Sequence, residues 1–299
     1  MRWSIALPEP RSRHVPSAPE LAACARAVEE AGYDGVWVTD HPFPLVERGS
    51  PGHHAWDPFA ALAYVAGATE RVLLHTNLVV LPYRNPFHVA KSAATIDVLS
   101  GGRFTLSVAT GYLRSEYRAL GVDFEQRNEL FDEALEAMRG VWTTDQYSFE
   151  GTGYTAKEVS VNPKPGHVPI WIGGNSALTR RRVAEHGDGW NPFPAPAWLA
   201  KTSRTIPLEG LDDLAPMLDH LRRHTEAAGR DPSSIDVTFT TGQPGPDADG
   251  YSAAAHLDGI EAMAALGVTW NSVGMPGDSV DHAIECLEQY GTEVINAAP

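Results

Sequence analysis

The stretch of sequence that decides the fold is VPIWIGGNSALTRRRVAEHGDGW, residues 168–190. Its first residues are apolar and predict a short buried strand, and the double glycine after them predicts a tight turn. The next residues have a helical pattern, and the final GDGW marks the start of another strand. A strand, a crossover helix and a second strand form the repeating unit of a parallel sheet, so the stretch predicts an α/β fold.

The same alternation extends along all 299 residues. Short β-type runs predict eight strands, at 3–7, 35–39, 72–81, 104–109, 168–172, 189–191, 235–240 and 268–273. Helical patterns follow them at 19–31, 57–69, 85–99, 127–143, 176–185, 212–228, 253–266 and 279–290. Eight repeats, several continuously apolar strands and an even composition favour a closed (β/α)8 TIM barrel over an open doubly wound sheet. We therefore expect one domain over residues 1–299.

A polar and aromatic segment interrupts this alternation at about residues 145–165. Gly151 and Gly153 lie near its middle and predict the turn of a β-hairpin. The segment is too short to fold alone. We expect a small hairpin inserted on the barrel rather than a second domain.

Composition narrows the classes of partner. Lys and Arg together number 23 and Asp and Glu 38, which gives a formal net charge of −15 at pH 7 and argues against nucleic acid and anionic membranes as partners. Cys24 and Cys286 have no metal-type or CxxC spacing, as expected for ordinary thiols in a reducing compartment. No apolar run approaches the roughly 18 to 20 residues of a membrane helix. We expect a cytoplasmic protein.

In a barrel, the residues that follow the strands converge at one end, which is where barrel enzymes have their active sites. Asp40 and His41 follow the second predicted strand. A histidine there can bind a cofactor or move a proton near neutral pH, and an adjacent aspartate can orient its ring or bind a ring nitrogen of the cofactor. The alternative is that Asp40 caps a turn and His41 is an exposed loop residue.

Polar residues also occur in the third strand and after the fourth. Thr76 and Asn77 interrupt a run that should be aliphatic, so they need hydrogen-bond partners, either on a ligand or on neighbouring backbone and water. Gly111 would let a planar ligand approach the main chain, and the hydroxyls of Thr110 and Tyr112 can donate to it. A plain turn explains Gly111 equally well.

The double-glycine turn itself is a candidate anion site. It comprises Gly173, Gly174, Asn175 and Ser176 and leads directly into a helix. Unpaired amides and the positive dipole end of a helix suit a phosphate group. The alternative is that Asn175 or Ser176 is simply the N-cap. No HxH pattern follows the first strand, and the adjacent His53 and His54 point in different directions, so we predict no metal centre.

Together these segments resemble the luciferase-like monooxygenase superfamily, and more closely its branch of coenzyme F420-dependent oxidoreductases. The matching stretches are AGYDGVWVTDHP (31–42), LPYRNPFHVAKSAATIDVLSGGRFTLSVATGY (81–112), RNELFDEALEAMRGVW (127–142), PIWIGGNS (169–176) and HGDGW (186–190). The resemblance extends over nearly the whole chain, and the order and spacing of these stretches together make it specific. The resemblance implies a TIM barrel, usually paired as a homodimer, that binds a deazaflavin or flavin and exchanges a hydride with a small organic substrate.

The resemblance also implies a position for each candidate residue. His41 and Asp40 would lie beside the ring, Thr76 and Asn77 along its other edge, and Thr110 and Gly111 against the ribityl chain. The Asn77–Leu78 bond is at a place where the family often has a non-prolyl cis peptide. Gly173, Gly174, Asn175 and Ser176 would hold the phosphate. His41 would be the catalytic proton donor or acceptor, and Tyr112 a secondary donor.

Two departures from the family pattern matter. Tyr112 stands where the sugar-phosphate dehydrogenases of the family carry a catalytic glutamate, which argues against that activity, and His75 replaces a usual glycine. Three functions stay open: F420-dependent hydride transfer, an FMN-dependent monooxygenase reaction, and flavin binding without catalysis. The loops at about 42–56 and 191–210 are rich in Pro, Trp and Phe and are expected to close over an apolar substrate.

Overall fold

Eight parallel strands form a closed ring in this computed structural model, which describes residues 1–10, 15–44, 53–274, 276 and 279–298. The strands are β1 (Arg2–Ala6), β2 (Gly35–Val38), β3 (Leu73–Thr76), β4 (Val79–Val80), β5 (Phe104–Ala109), β6 (Tyr147–Glu150), β7 (Thr155–Val159), β8 (Ile170–Gly173), β9 (Gly189–Asn191), β10 (Asp236–Phe239) and β11 (Trp270–Val273). The ring runs β1, β2, β3, β5, β8, β9, β10, β11 and back to β1. The predicted (β/α)8 TIM barrel is therefore confirmed.

Helices follow the strands and cover the barrel. They are α1 (Ala18–Glu30), α2 (Pro58–Ala66), α3 (Pro86–Ser100), α4 (Arg114–Ala119), α5 (Arg127–Thr143), α6 (Ala177–His186), α7 (Ala197–Ser203), α8 (Leu211–Ala227), α9 (Ala253–Leu266) and α10 (Val280–Tyr290). Their starts carry the signals expected from sequence: Ser17 and Glu20 form a capping box, and Asp57 and Asn85 cap helices that begin with proline. Within the described ranges, none of the helices combines the length and apolar character that crossing a bilayer requires.

The inserted hairpin is also confirmed, since β6 and β7 pair antiparallel with each other and with no barrel strand. Two details differ from the predictions. The third predicted strand is divided into β3 and β4 at a cis peptide bond between Asn77 and Leu78, the bond that the family resemblance implies. The short helices α4 and α7 were not predicted, because six or seven residues do not show a helical period.

The barrel interior is filled by packed aromatic rings at one level, and smaller residues occupy several of the next inward positions. The ring of His75 on β3 lies 4.9 Å, centroid to centroid, from both Trp171 on β8 and Trp270 on β11. Alternate residues of a strand face the same side, so the next inward positions along these strands are Asn77, Gly173 and Ser272. These three residues are smaller than the aromatic rings that close the barrel below them, and Leu78 lies against Gly173.

Candidate active site

His41 stands at the carboxyl end of the barrel, just after β2, with 14% of its side chain exposed. Its Nδ1 lies 3.6 Å from Oε1 of Glu116. The ring of His53 is 4.6 Å from the His41 ring, and the ring of Tyr112 meets it edge-on at 6.2 Å. The structure thus brings together the two predicted catalytic residues, His41 and Tyr112.

Glu116, on α4, is a fully buried carboxylate that sequence reasoning did not single out. It accepts hydrogen bonds from the hydroxyl of Tyr83 at 2.9 Å and from the backbone amide of Phe43 at 3.2 Å. Burial raises the pKa of Glu116, but the neighbouring side chains of His41 and Tyr83 outweigh it and hold that pKa below its ordinary value. The carboxyl group is therefore an anion beside His41.

Asp40 is buried, and its carboxylate is hydrogen-bonded to other groups of the protein. It forms a two-pronged ion pair with Arg84, at 2.5 and 3.0 Å, and accepts a hydrogen bond from the amide of Val80 at 3.0 Å. Both carboxylate oxygens are thus used. The structure places Asp40 next to His41, as expected, but its side chain anchors β4 rather than facing the mouth of the barrel.

A small amide network lies at the mouth, over the small inward residues. The side-chain Nδ2 of Asn191 on β9 donates to Oδ1 of Asn77 at 2.7 Å and to Oγ of Ser107 at 3.2 Å. Among the described residues, no protein group pairs with Nδ2 of Asn77 or Oδ1 of Asn191. One donor group and one acceptor therefore remain available to a ligand at this position.

Thr76 differs from its neighbour Asn77. It is fully buried, and its hydroxyl donates to the carbonyl of Ser107 at 2.7 Å and accepts from the amide of Ser107 at 2.8 Å. Both capacities of the hydroxyl are used to join β3 to β5. Of the two alternatives that the sequence left open for this side chain, the structure shows the bonds to neighbouring backbone, which hold together the strands that carry Asn77 and Ser107; contact of Thr76 with the ring stays a prediction.

The residues after β5 also serve packing. Gly111 has a φ of +66°, and a Cβ there would lie 2.5 Å from Cγ1 of Val80. The carbonyl of Thr110 accepts the hydroxyl of Tyr117 at 2.5 Å. The positive φ and the contact with Val80 explain why a glycine stands at position 111 without any ligand. This is the plain turn that the sequence left open as an alternative. Tyr112 is partly buried, and its pKa is raised by burial and by the charge of Glu116.

The double-glycine turn presents free amides to solvent. Among the described residues, no acceptor takes the backbone N–H groups of Ser176, Ala177 and Leu178 at the start of α6. The side chains of Ala177 and Leu178 are exposed, and the first turn of α6 has no acidic residue. Such a helix N-terminus can bind an anion without displacing any protein group.

The four residues predicted to bind phosphate, Gly173 to Ser176, make different contacts within the protein. The amide of Gly174 donates to the carbonyl of Asn191 at 3.1 Å, and a Cβ on Gly173 would lie 2.2 Å from Leu78, which fills the space in front of it. Ser176 is the N-cap of α6, accepting the amide of Thr179 at 3.0 Å. A phosphate could therefore be held by the backbone amides at the start of α6. To bind it, the Ser176 hydroxyl would compete with its own bond to the Thr179 amide.

Asn175 has protein partners for its side chain, so its predicted contact with phosphate stays a prediction for its backbone alone. Its buried side chain accepts from the amide of Phe193 and donates to the carbonyls of Phe193 and Ile206, each at 2.8 Å. All three partner groups lie in the segment that follows β9. Asn175 therefore fixes that segment beside the turn, and its side chain is not free to bind phosphate.

The residues that the sequence did not single out are buried or half-buried polar groups whose partners are distant in sequence. They are Glu116, Tyr83, Arg84, Ser107 and Asn191. Some signal for Glu116 was present, since an acid in a short segment after Gly111 and Tyr112 lies close to the barrel mouth in a (β/α)8 fold. Within the described ranges, no group of three or more His, Cys, Asp or Glu side chains is arranged to hold a metal ion.

The family model for luciferase-like monooxygenases matches residues 1–244. The chain belongs to this family. It is 30% identical over 227 residues to an F420-dependent glucose-6-phosphate dehydrogenase of Kineococcus radiotolerans, a match covering 74% of this chain and 62% of that protein. It is 35% identical over 177 residues to the protein of the same name from Nocardia farcinica, covering 57% and 52%. The chain thus spans little more than half the length of such curated relatives.

Solved structures give the same fold at lower identity. Monooxygenase RslO1 from Streptomyces bottropensis superposes with a TM-score of 0.81 at 18% identity, covering 99% of both chains. An F420-dependent secondary alcohol dehydrogenase, solved with an F420–acetone adduct, superposes with a TM-score of 0.75 at 18% identity, covering 98% of both. The relatives and these neighbours are all oxidoreductases by name, and the structural likeness supports the barrel fold.

Proposed function

We propose that the protein is a coenzyme F420-dependent oxidoreductase that exchanges a hydride between the bound deazaflavin and a small organic substrate. The observation that carries the proposal is the set of unpaired amides at residues 176–178, which opens at the same end of the barrel as His41. Membership of the luciferase-like family and relatives named for F420 support the choice of cofactor.

The residues present fit such a cofactor. Its phosphate would be held by the amides of Ser176, Ala177 and Leu178, where the helix dipole adds to the attraction. Its heterocyclic edge would pair with Nδ2 of Asn77 and Oδ1 of Asn191, the two mouth groups that lack protein partners. When bound, the deazaflavin supplies a two-electron hydride carrier.

His41 would handle the proton that accompanies the hydride. On a substrate that is oxidised, its Nε2 would take the hydroxyl proton; on a substrate that is reduced, the protonated ring would return it. Glu116 stabilises the charged ring, since the carboxylate lies 3.6 Å from Nδ1. Tyr112 would be a secondary donor, and as a phenol it does not replace the carboxyl group that the sugar-phosphate dehydrogenases carry at its position.

The substrate would be apolar and small. Phe43, Phe193 and Ile206 are exposed by 56%, 38% and 43%, and they belong to the two segments expected to close over the substrate. Residues 45–52 of the first of these segments lie outside the described residues. A homodimer and a cytoplasmic location remain predictions, to be checked by light scattering and by cell fractionation.

Titration of the purified protein with oxidised F420, followed by its fluorescence, tests the proposal. A matched pair, Ala177→Asp and Ala177→Asn, separates charge from size at the first residue of α6. The aspartate favours the helix dipole, so the fold is not weakened, but it repels phosphate and is expected to weaken binding about tenfold or more. The asparagine variant is expected to bind nearly as well as the wild type. Failure of F420 to bind the wild type would end the proposal.

Two other outcomes have defined meanings. Preferential binding of FMN, with oxygen consumed during turnover, would identify a flavin-dependent monooxygenase instead. Tight cofactor binding without reduction or oxidation of any enone, quinone, imine or alcohol in a broad panel would identify a flavin-binding protein without catalysis. Hydride transfer to or from F420 with one of these substrates is the expected result.

A further inference from the structure

The His41 ring has a buried nitrogen that the protein does not satisfy with a hydrogen bond. Nδ1 is inaccessible to solvent and has no partner within hydrogen-bond distance among the described residues. The acceptor that faces it is Oε1 of Glu116, at 3.6 Å. This separation is slightly longer than a hydrogen bond and short enough for a strong charge interaction.

Toward His41 the Glu116 carboxylate can act only as a hydrogen-bond acceptor, because the donors around it keep it ionised. The hydroxyl of Tyr83 and the amide of Phe43 are both donors to this carboxylate. A carboxylate in such a position has no proton to give. The nitrogen facing it must therefore carry the hydrogen, in both the neutral and the charged form of the imidazole.

The other groups around His41 do not reverse this preference. The ring of His53 packs against it, and the Nε2 of His53 lies 3.2 and 3.3 Å from the carboxylate oxygens of Glu9. The phenol of Tyr112 meets the His41 ring at its edge. Asp40, next in the chain, is held by Arg84 and is not directed at the ring.

We propose that Glu116 is the positioning residue for His41: it fixes the Nδ1–H tautomer and leaves Nε2 as the nitrogen that exchanges a proton with the substrate. Two hydrogen bonds hold Glu116 in place: the hydroxyl of Tyr83 donates to Oε2, and the amide of Phe43 donates to Oε1, the oxygen that faces His41. The consequence for catalysis rests on the proposed function, whereas the tautomer is a property of the protein alone. Each can therefore be tested separately.

Nitrogen-15 NMR of the histidine rings, without cofactor, tests the tautomer. The His41 signals are assigned by their loss in His41→Asn, and their shifts above the pH of protonation distinguish the two tautomers. We expect Nδ1 to be protonated and Nε2 to be free. A protonated Nε2 in the wild-type protein overturns the inference, whether or not the protein binds F420.

Steady-state kinetics test the role in catalysis. Glu116→Gln keeps the shape but removes the charge, and the control Glu125→Gln makes the same change at an exposed glutamate that pairs with Arg114. We expect Glu116→Gln to lower both kcat and kcat/KM about a hundredfold, because Nδ1 of His41 loses the charged acceptor that faces it. Glu125→Gln is expected to leave both unchanged.

The conservative variant Glu116→Asp retains the charge and is expected to recover most of the lost activity. Equal kcat values in the wild type and Glu116→Gln, or no recovery in Glu116→Asp, would overturn the positioning role. If Glu116→Gln does not fold, the wild-type NMR result decides instead. Absence of F420 binding in all variants would count against the proposed function and not against the tautomer.

Discussion

Replacing His75 with phenylalanine is expected to remove part of the acid sensitivity of folding. His75 is buried at the centre of the barrel between Trp171 and Trp270, and neither ring nitrogen has a partner among the described residues. Burial, with a smaller contribution from the positive charge of Arg2, lowers the pKa of His75 from 6.5 to about 3. The folded barrel therefore holds a neutral imidazole.

The sign and size of the effect follow from this shift. The unfolded chain takes up a proton at His75 as the pH falls through 6.5, and the folded chain does not do so until about pH 3. The stabilising effect of the neutral ring is complete above pH 6.5 and is lost progressively below it. One pH unit corresponds to about 1.4 kcal/mol, so lowering the pH from 7 to 5 costs about 2 kcal/mol at this residue.

Urea denaturation at pH 7, 6 and 5 measures this loss. His75→Phe has no titrating group, so it should lose about 2 kcal/mol less than the wild type between pH 7 and 5. The control His167→Phe makes the same change at an exposed histidine and should follow the wild type. If the wild type and His75→Phe lose the same free energy of unfolding between pH 7 and 5, the His75 ring is solvated or paired, contrary to its packing between Trp171 and Trp270.

Two further substitutions test the supports of the site. Asn175→Ala removes three hydrogen bonds to the segment after β9 and should lower the free energy of unfolding by about 3 kcal/mol, measured in urea. An unchanged stability would show that these three bonds do not hold that segment. Gly111→Ala adds a Cβ at a φ of +66° and 2.5 Å from Val80, and should cost about 2 to 4 kcal/mol by the same measurement. Gly121→Ala is its control, because it has a similar φ of +72° with nothing within 4 Å; if both variants lose the same stability, the contact with Val80 has no energetic weight.

The fold was predictable because it depends on local patterns that repeat. Most barrel strands lie in short apolar runs, and several helices have a start signal of their own, such as Ser17 before α1 or Asp57 before α2. Eight repeats of such units leave few topologies other than a closed barrel. The break between β3 and β4 was not readable as a pattern, and it was expected only through the family resemblance.

The candidate site was predictable in part. His41, Tyr112 and the start of α6 were located correctly at the carboxyl end of the barrel, because position after a strand decides that placement. Their binding and catalytic roles stay predictions. Thr76 was assigned to a ligand as a polar residue in an apolar strand, and Asn175 as part of the double-glycine turn, yet the structure gives both side chains protein partners.

The sequence by itself determined the order of the strands and helices, the barrel, the hairpin and the end at which polar residues collect, because each depends on residues close together in the chain. Only the tertiary structure decided which polar side chains are free. Glu116 meets His41, and Asn175 meets Phe193, through contacts between different βα units. Hydrogen bonds form over about 3 Å, and no local pattern in the chain specifies which distant groups will approach that closely.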